Sequence, residues 1–321
     1  MIRADGRGTR ALILVTGAFR LIYTAQTRMA RLGGAAPLAA LGGACVAGTA
    51  ALLWRRARGR APKTAALLWL PLLWADGAAA IHALSVSAGR WVLYALPPWA
   101  LALATGAAMG LFALWGMGAA AGAGRLFLPW AAALMAGCAW AGRESLVPGW
   151  LFPLLGPGPG ETALCALELG ACLMPALLLP AAGDEGPGFS LLWAGVAAAA
   201  ALAACAMTAP YMPSAPQTEG FRLEILLSNG RVPLPLQMPV LLLWFGGAIL
   251  TAGSGAALCR ETLAGLWPGM DERALALLSA AGPTAAYCTG LWEGARSFWP
   301  LWYPLALIPL IPGAAKRRKK A

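Results

Sequence analysis

The chain reads as an all-α integral membrane protein of about ten transmembrane helices. Three observations lead there. Hydrophobic residues make up 60% of the 321 positions and charged residues 12%, and mean hydropathy is +0.67, which leaves too little polar surface to clothe a soluble domain of this size. Apolar stretches of about 20 residues, the length a helix needs to cross the hydrocarbon core, recur along the whole chain. Nearly every Lys and Arg falls in the gaps between these stretches, mostly in alternate gaps. A barrel would need alternating segments of roughly ten residues, and continuous runs such as VLLLWFGGAIL and AGVAAAAALAACA show no alternation.

The predicted spans are residues 9–27, 33–54, 63–86, 92–115, 120–141, 160–181, 188–210, 235–259, 272–291 and 297–313, forming one polytopic domain over 1–321. A basic stretch precedes ALILVTGAF, as in a signal peptide. No A-x-A-like site closes that run and further spans follow at once, so it reads as a retained first helix. Residues 142–160, GRESLVPGWLFPLLGPGPG, are too broken by Pro and Gly to span and too apolar for a free loop, and are expected along the outer interface. In 211–234, Phe221, Leu223, Ile225 and Leu226 form an apolar cluster that suits a short amphipathic helix on the outer face. Residues 314–321 are a basic cytoplasmic tail.

Orientation follows from the positive-inside rule. With the N-terminus inside, sixteen of the 24 Lys and Arg lie on the cytoplasmic side, in gaps holding Arg3, Arg55, Arg125, Arg260, Arg273 and Lys316 among others. Both termini are then cytoplasmic, as an even span count requires. The net charge of +11 does not indicate nucleic acid, because these residues flank spans and no nucleic-acid-binding fold is recognisable. They act as topology signals that also touch anionic lipid headgroups. Seven cysteines without a CxxC or a Cys/His cluster argue against a disulfide framework or metal site and for small apolar packing. Trp54, Trp91, Trp140, Trp292 and Trp299 near span ends resemble interfacial belts.

Ionisable residues inside spans are the strongest internal pointers to function, because hydrocarbon tolerates charge poorly. Glu168 lies near the middle of the sixth span, seven residues before Pro175. It reads either as a ligand-facing or proton-linked carboxylate, or as a protonated group joining two helices. Asp76 and His82, six residues apart in the third span, differ by about 240° of helical rotation and make a poor dyad. Arg20 in the first span either snorkels or pairs with an acid. No nucleophile-plus-base constellation has credible spacing and the lone histidine leaves little for general-base chemistry, so no enzyme and no cofactor are expected. In the eighth span Gly246, Gly247, Gly253, Ser254 and Gly255 either let helices approach closely or loosen the helix around a ligand.

Four segments, in order, resemble the B-subunit family of spore-germination receptors, the spore permease branch of the amino acid/polyamine/organocation transporters. GMGAAAGAGRLFLPW is similar to the family's cytoplasmic link through Arg125 and Pro129. SLVPGWLFPLLGPGPGETALCALELGACLMP resembles its outer segment and the following span through Glu168 and Pro175. FRLEILLSNGRVPLPLQMPVLLLWFGGAILTAGSGAALC resembles the outer amphipathic segment and eighth span through Leu226, Gly230, Arg231, Trp244 and Gly246. PLALIPLIPGAAKRRKK resembles the last span and tail. The resemblance covers roughly residues 95–320. It departs where Ala119 to Ala121 replace an expected acid, and where Thr16, Gly17 and Ala18 stand at an expected helix break with no following Pro.

The resemblance implies two inverted five-helix repeats of the leucine-transporter-like kind. It implies a small nutrient such as an amino acid bound near the midplane, with Thr16, Gly17, Glu168, Gly246 and Ser254 as ligand-binding candidates. It also implies A-type and lipoprotein C-type partner subunits and the inner membrane of a bacterial spore or the bacterial cytoplasmic membrane. Two other readings stay open, a proton- or cation-coupled amino acid transporter and a membrane assembly protein with a degenerate ligand site. The ten-span topology predicts that reporters fused after Lys320 report cytoplasm and reporters inserted within 212–220 report the outside. The same side for both would sink that topology.

Overall fold

The computed structural model describes residues 6–57, 63–91, 97–142, 147–152, 154–178, 188–208 and 234–291. All regular structure among them is helical. In order it comprises α1 Gly6–Leu32, α2 Ala36–Ala57, α3 Lys63–Trp91, α4 Pro98–Gly142, α5 Pro159–Cys172, α6 Gly188–Thr208, α7 Leu234–Leu266 and α8 Glu272–Cys288. Short 3-10 turns lie at Gly33–Ala35, Pro148–Leu151 and Met174–Leu178. The stretches Gly33–Leu52, Pro98–Ala133 and Met238–Leu266 are long and apolar enough to cross a membrane. The expected tenth span, most of the 211–234 segment and the basic tail lie outside the described residues.

Two predicted spans, 92–115 and 120–141, fall within α4, whose 45 residues are interrupted at Gly116 with φ 77° and ψ −176°. That region of backbone space is essentially reserved for glycine. The break frees carbonyls at the end of the first half of α4, and Arg260 of α7 satisfies one by donating from Nη1 to the Ala113 oxygen at 3.1 Å. The other guanidinium arm of Arg260 meets Glu272 at 2.9 Å, in the first turn of α8. A cation at a helix C-terminal end and a carboxylate at an N-terminal end both suit the helix dipoles, so one arginine of α7 ties the break in α4 to the start of α8.

The helices pack in two groups, α1 with α2, α5 and α6, and α3 with α4, α7 and α8. Helix α1 also touches α4 and α7, and so sits between the groups. Small residues permit the close contacts, as membrane helices need where lipid offers no hydrophobic drive to association. A Cβ at Gly43 of α2 would stand 2.8 Å from the Gly170 nitrogen of α5, and Gly195 of α6 lies against Ala44. The outside is greasy, with Leu126, Trp130, Leu242 and Leu277 exposed, whereas Arg20, Asp76, Thr105, Ser254 and Ser279 are buried. Large apolar side chains outside and polar ones inside fit a protein whose solvent is lipid.

Of the expected outer segment 142–160, the described part packs over one end of this bundle. Gly34 and Leu151 touch, Gly156 (φ 49°) lies against Leu32, and the Val147 amide donates to Met207 at the end of α6. Because any Cβ at position 116 meets the backbone penalty of that φ and ψ, Gly116→Ala is expected to destabilise by about 1–3 kcal/mol. Thermal unfolding in detergent measures this, and a melting temperature equal to the parent's would refute the strain at the break.

Candidate functional site

Two of the four ionisable residues that stood out in the sequence, Arg20 and Asp76, meet inside the bundle. Arg20 of α1 and Asp76 of α3 form a bidentate pair, with Nη2 at 2.6 Å from Oδ2 and Nε at 2.9 Å from Oδ1. Relative exposures of 5% and 4% place both charges away from solvent and lipid. Arg20 therefore does not snorkel. Two parallel bonds from a planar guanidinium to a carboxylate are the strongest geometry such a pair has, and in hydrocarbon neither ion would be tolerated alone.

Helix α7 supplies the third wall. A Cβ at Gly255 would lie 3.7 Å from Asp76 Oδ2, and one at Gly247 would lie 3.2 Å from the Phe19 ring. Trp244 packs on Phe19 with ring centroids 4.4 Å apart. Between these levels, one turn from Gly247 and one from Gly255, Thr251 lies on the same face of α7. It is 1% exposed, and its hydroxyl has no hydrogen-bond partner among the described residues. A buried hydroxyl without a partner is uncommon, and this one lies one helical turn along α7 from Gly255, which faces Asp76.

The expected ligand residues divide around α1 rather than converging. Thr16 is fully buried and its hydroxyl donates to the Leu12 carbonyl one turn back. Gly17 faces the other group of helices, where a Cβ would stand 3.1 Å from Ala194 and 3.4 Å from Leu173. Leu173 is where α5 ends and the chain tightens into the 3-10 turn Met174–Leu178 that contains Pro175. Glu168 lies about one turn before that change, half-buried on α5. Gly246 packs against the Phe127 ring of α4, and Ser254 donates to the Thr251 carbonyl at 3.0 Å.

Helices α1 and α7 run without a break through Thr16–Ala18 and Gly246–Gly255, so the small residues there serve close packing and free no carbonyls. Pro175 suits the change of helix type in the sixth span, because it removes one amide donor and clashes with the preceding turn, although Pro71, Pro239 and Pro283 stand inside continuous helices. His82 is apart from Asp76, with its ring 6.2 Å from that of Tyr287. Cys165, Cys172 and Cys259 are buried, and Cys259 accepts a bond from Trp74 Nε1 at 3.2 Å. Among the described residues no group of His, Cys, Asp and Glu gathers as a metal site would.

Sequence reasoning left the partner of Arg20 open and did not single out Thr251. The available signal was two opposite charges near the middles of two otherwise apolar spans, since each needs a partner in lipid. For Thr251 the sequence carries no signal, because a threonine in a span usually bonds its own backbone. Neither a protein-family model nor a curated protein matches this chain.

Removing one ion of a buried pair strands the other, at about 3–5 kcal/mol, whereas replacing both with apolar side chains of similar volume is often neutral. Arg20→Met and Asp76→Leu are each expected to lower the melting temperature and the amount of protein in the membrane, and the double variant to regain most of both. Single variants as stable as the parent would show that the pair holds nothing together.

Proposed function

We propose that this chain is the membrane subunit of a spore nutrient-germinant receptor, built as ten spans in two inverted five-helix repeats. In this reading it binds a small nutrient such as an amino acid and passes the change to A-type and C-type partner subunits. The observation that carries the architecture is the packing of elements five spans apart. Helices α2 and α6 meet, as do α3 and α7, the first half of α4 and α8, and α1 and α5. Counted as spans, each of the first four lies against its counterpart in the second half, as inverted repeats related by an axis in the membrane plane would.

The ligand reading is supported by the buried Arg20–Asp76 pair and by the buried Thr251 hydroxyl one turn along α7 from Gly255, which faces Asp76. A zwitterionic nutrient carries the charges that such a pair complements, and it would give the Thr251 hydroxyl a partner. Helix α1 bridges both groups, so a ligand that loosens its ion pair would shift one group against the other, a differential effect on two states of the bundle. Continuous α1 and α7 lack the half-helix ends with which broken-helix transporters hold substrate and coupling ion, which favours signalling over transport. The transporter reading draws on Glu168, half-buried about one turn before the change of helix type in the sixth span.

Thr251→Val tests the site with opposite signs. Deleting an unmet buried hydroxyl is expected to leave the melting temperature unchanged or higher, while the lost bond to ligand weakens binding of a germinant amino acid about tenfold. Binding measured calorimetrically that is indifferent to Thr251→Val would remove the site from this wall. In proteoliposomes a receptor binds the amino acid without concentrating it. Proton-driven accumulation that disappears in Glu168→Gln would establish the transporter instead.

A further inference from the structure

On the outer side of the second group, away from the ion pair, a groove of about 610 Å³ runs between α8 and the first half of α4. The two helices are antiparallel there. Gly106 lies against Thr284 and Gly110 against Ala280, so Leu114 shares one end of the groove with Arg273, and Leu103 the other end with Cys288. The floor is small side chains, Ala107 and Ala281 among them, and Leu277 forms an exposed rim. Arg273 is the one charged residue in the lining. Its backbone amide donates to Asp271, but its guanidinium has no partner among the described residues.

We infer that this groove binds one anionic phospholipid of the cytoplasmic leaflet, with the headgroup phosphate on Arg273 and an acyl chain lying along the small-residue floor toward Cys288. Charge and length argue for it together. A single cation at one end of an otherwise apolar channel complements a molecule that is anionic at one end and hydrocarbon along the rest. A guanidinium also matches the two oxygens of a phosphate in its plane. From Arg273 to Cys288 the helix rises roughly 22 Å, which is half of the ~40–45 Å that a bilayer measures with its headgroups. One leaflet fits that span, whereas a transmembrane helix of a partner would run on past both ends.

The end that carries Arg273 is also the end of Arg260, on the side where positive-inside counting puts the cytoplasm, and the cytoplasmic leaflet is the anionic one. This assignment does not depend on the receptor reading. It depends on the orientation of α8.

The full-length protein is reconstituted in phosphatidylcholine nanodiscs containing a few per cent of phosphatidylglycerol with a diazirine on the terminal acyl carbon, irradiated, and mapped by mass spectrometry. Adducts are expected on Leu103, Ala285 and Cys288. Arg273→Gln is expected to lower phosphatidylglycerol labelling about fivefold, the effect of one basic contact at an anionic lipid surface, and to lower labelling by the matching phosphatidylcholine probe, whose phosphate is offset by its own choline, by clearly less. The double variant Ala107→Leu/Ala281→Leu fills the floor without touching the charge and should abolish labelling there by both probes, at an unaltered melting temperature. Equal labelling by both lipids with no response to Arg273→Gln would overturn the inference. So would adducts spread over faces remote from the groove, or Cys288 crosslinking to another protein segment in place of lipid.

Discussion

Burying two full charges inside an apolar helix bundle is costly, and the Arg20–Asp76 pair is how the bundle tolerates it. Both ions are more than nine-tenths buried, and the hydrogen bonds between guanidinium and carboxylate hold helices α1 and α3 in one register. That constraint spreads outward. Gly247 must be small to admit the Phe19 ring, whereas at Gly255 α7 passes Asp76 at an ordinary contact distance, 3.7 Å from a would-be Cβ. Gly17, about one turn before Arg20 on α1, must be small so that the same helix fits against Ala194 of α6 and Leu173. A helix both bonded and closely packed has little freedom to move unless the ion pair is relieved.

That rigidity bears on mechanism. Continuous α1 and α7 put side chains, not unwound backbone, at the centre of the bundle, and the polar groups that α1, α3 and α7 bury among the described residues include the Arg20–Asp76 pair and the hydroxyl of Thr251. A molecule that binds among them must compete for existing bonds, so recognition and loosening of the bundle would be one event. The 3-10 turn that follows Leu173 touches α3, the helix of Asp76, as well as α2 and α5.

The two buried arginines show how one residue type serves different ends. Arg260 lies where a cytoplasmic basic residue is expected, yet only about 5% of it is exposed. It is occupied by the Ala113 carbonyl and Glu272, and the opening at Gly116 is what creates that carbonyl site. Helix dipoles and a freed backbone group recruit a charge that topology alone would have left at the surface. Arg273, thirteen residues on, keeps the exposed position and its guanidinium stays turned to the surroundings.

Much of this protein was determined by its sequence alone. Apolar stretches of spanning length specify helices, because a backbone in lipid must bond within its own segment, and the helices α1 to α8 fall on the stretches expected of them. The charges Arg20, Asp76 and Glu168 were conspicuous for the same reason. What the sequence left undecided is which residue each charge meets, since partners 56 positions apart are brought together by packing and leave no local pattern. It also left open whether the glycines of α1 and α7 break a helix or let neighbours approach. Isolated glycines are compatible with both, and only the rings and side chains set against them in the tertiary structure, Phe19, Phe127 and Leu173, decide for close packing. The hydroxyl of Thr251 belongs to the same class, because whether a buried donor lacks a partner is a property of its neighbours and of no single stretch of sequence.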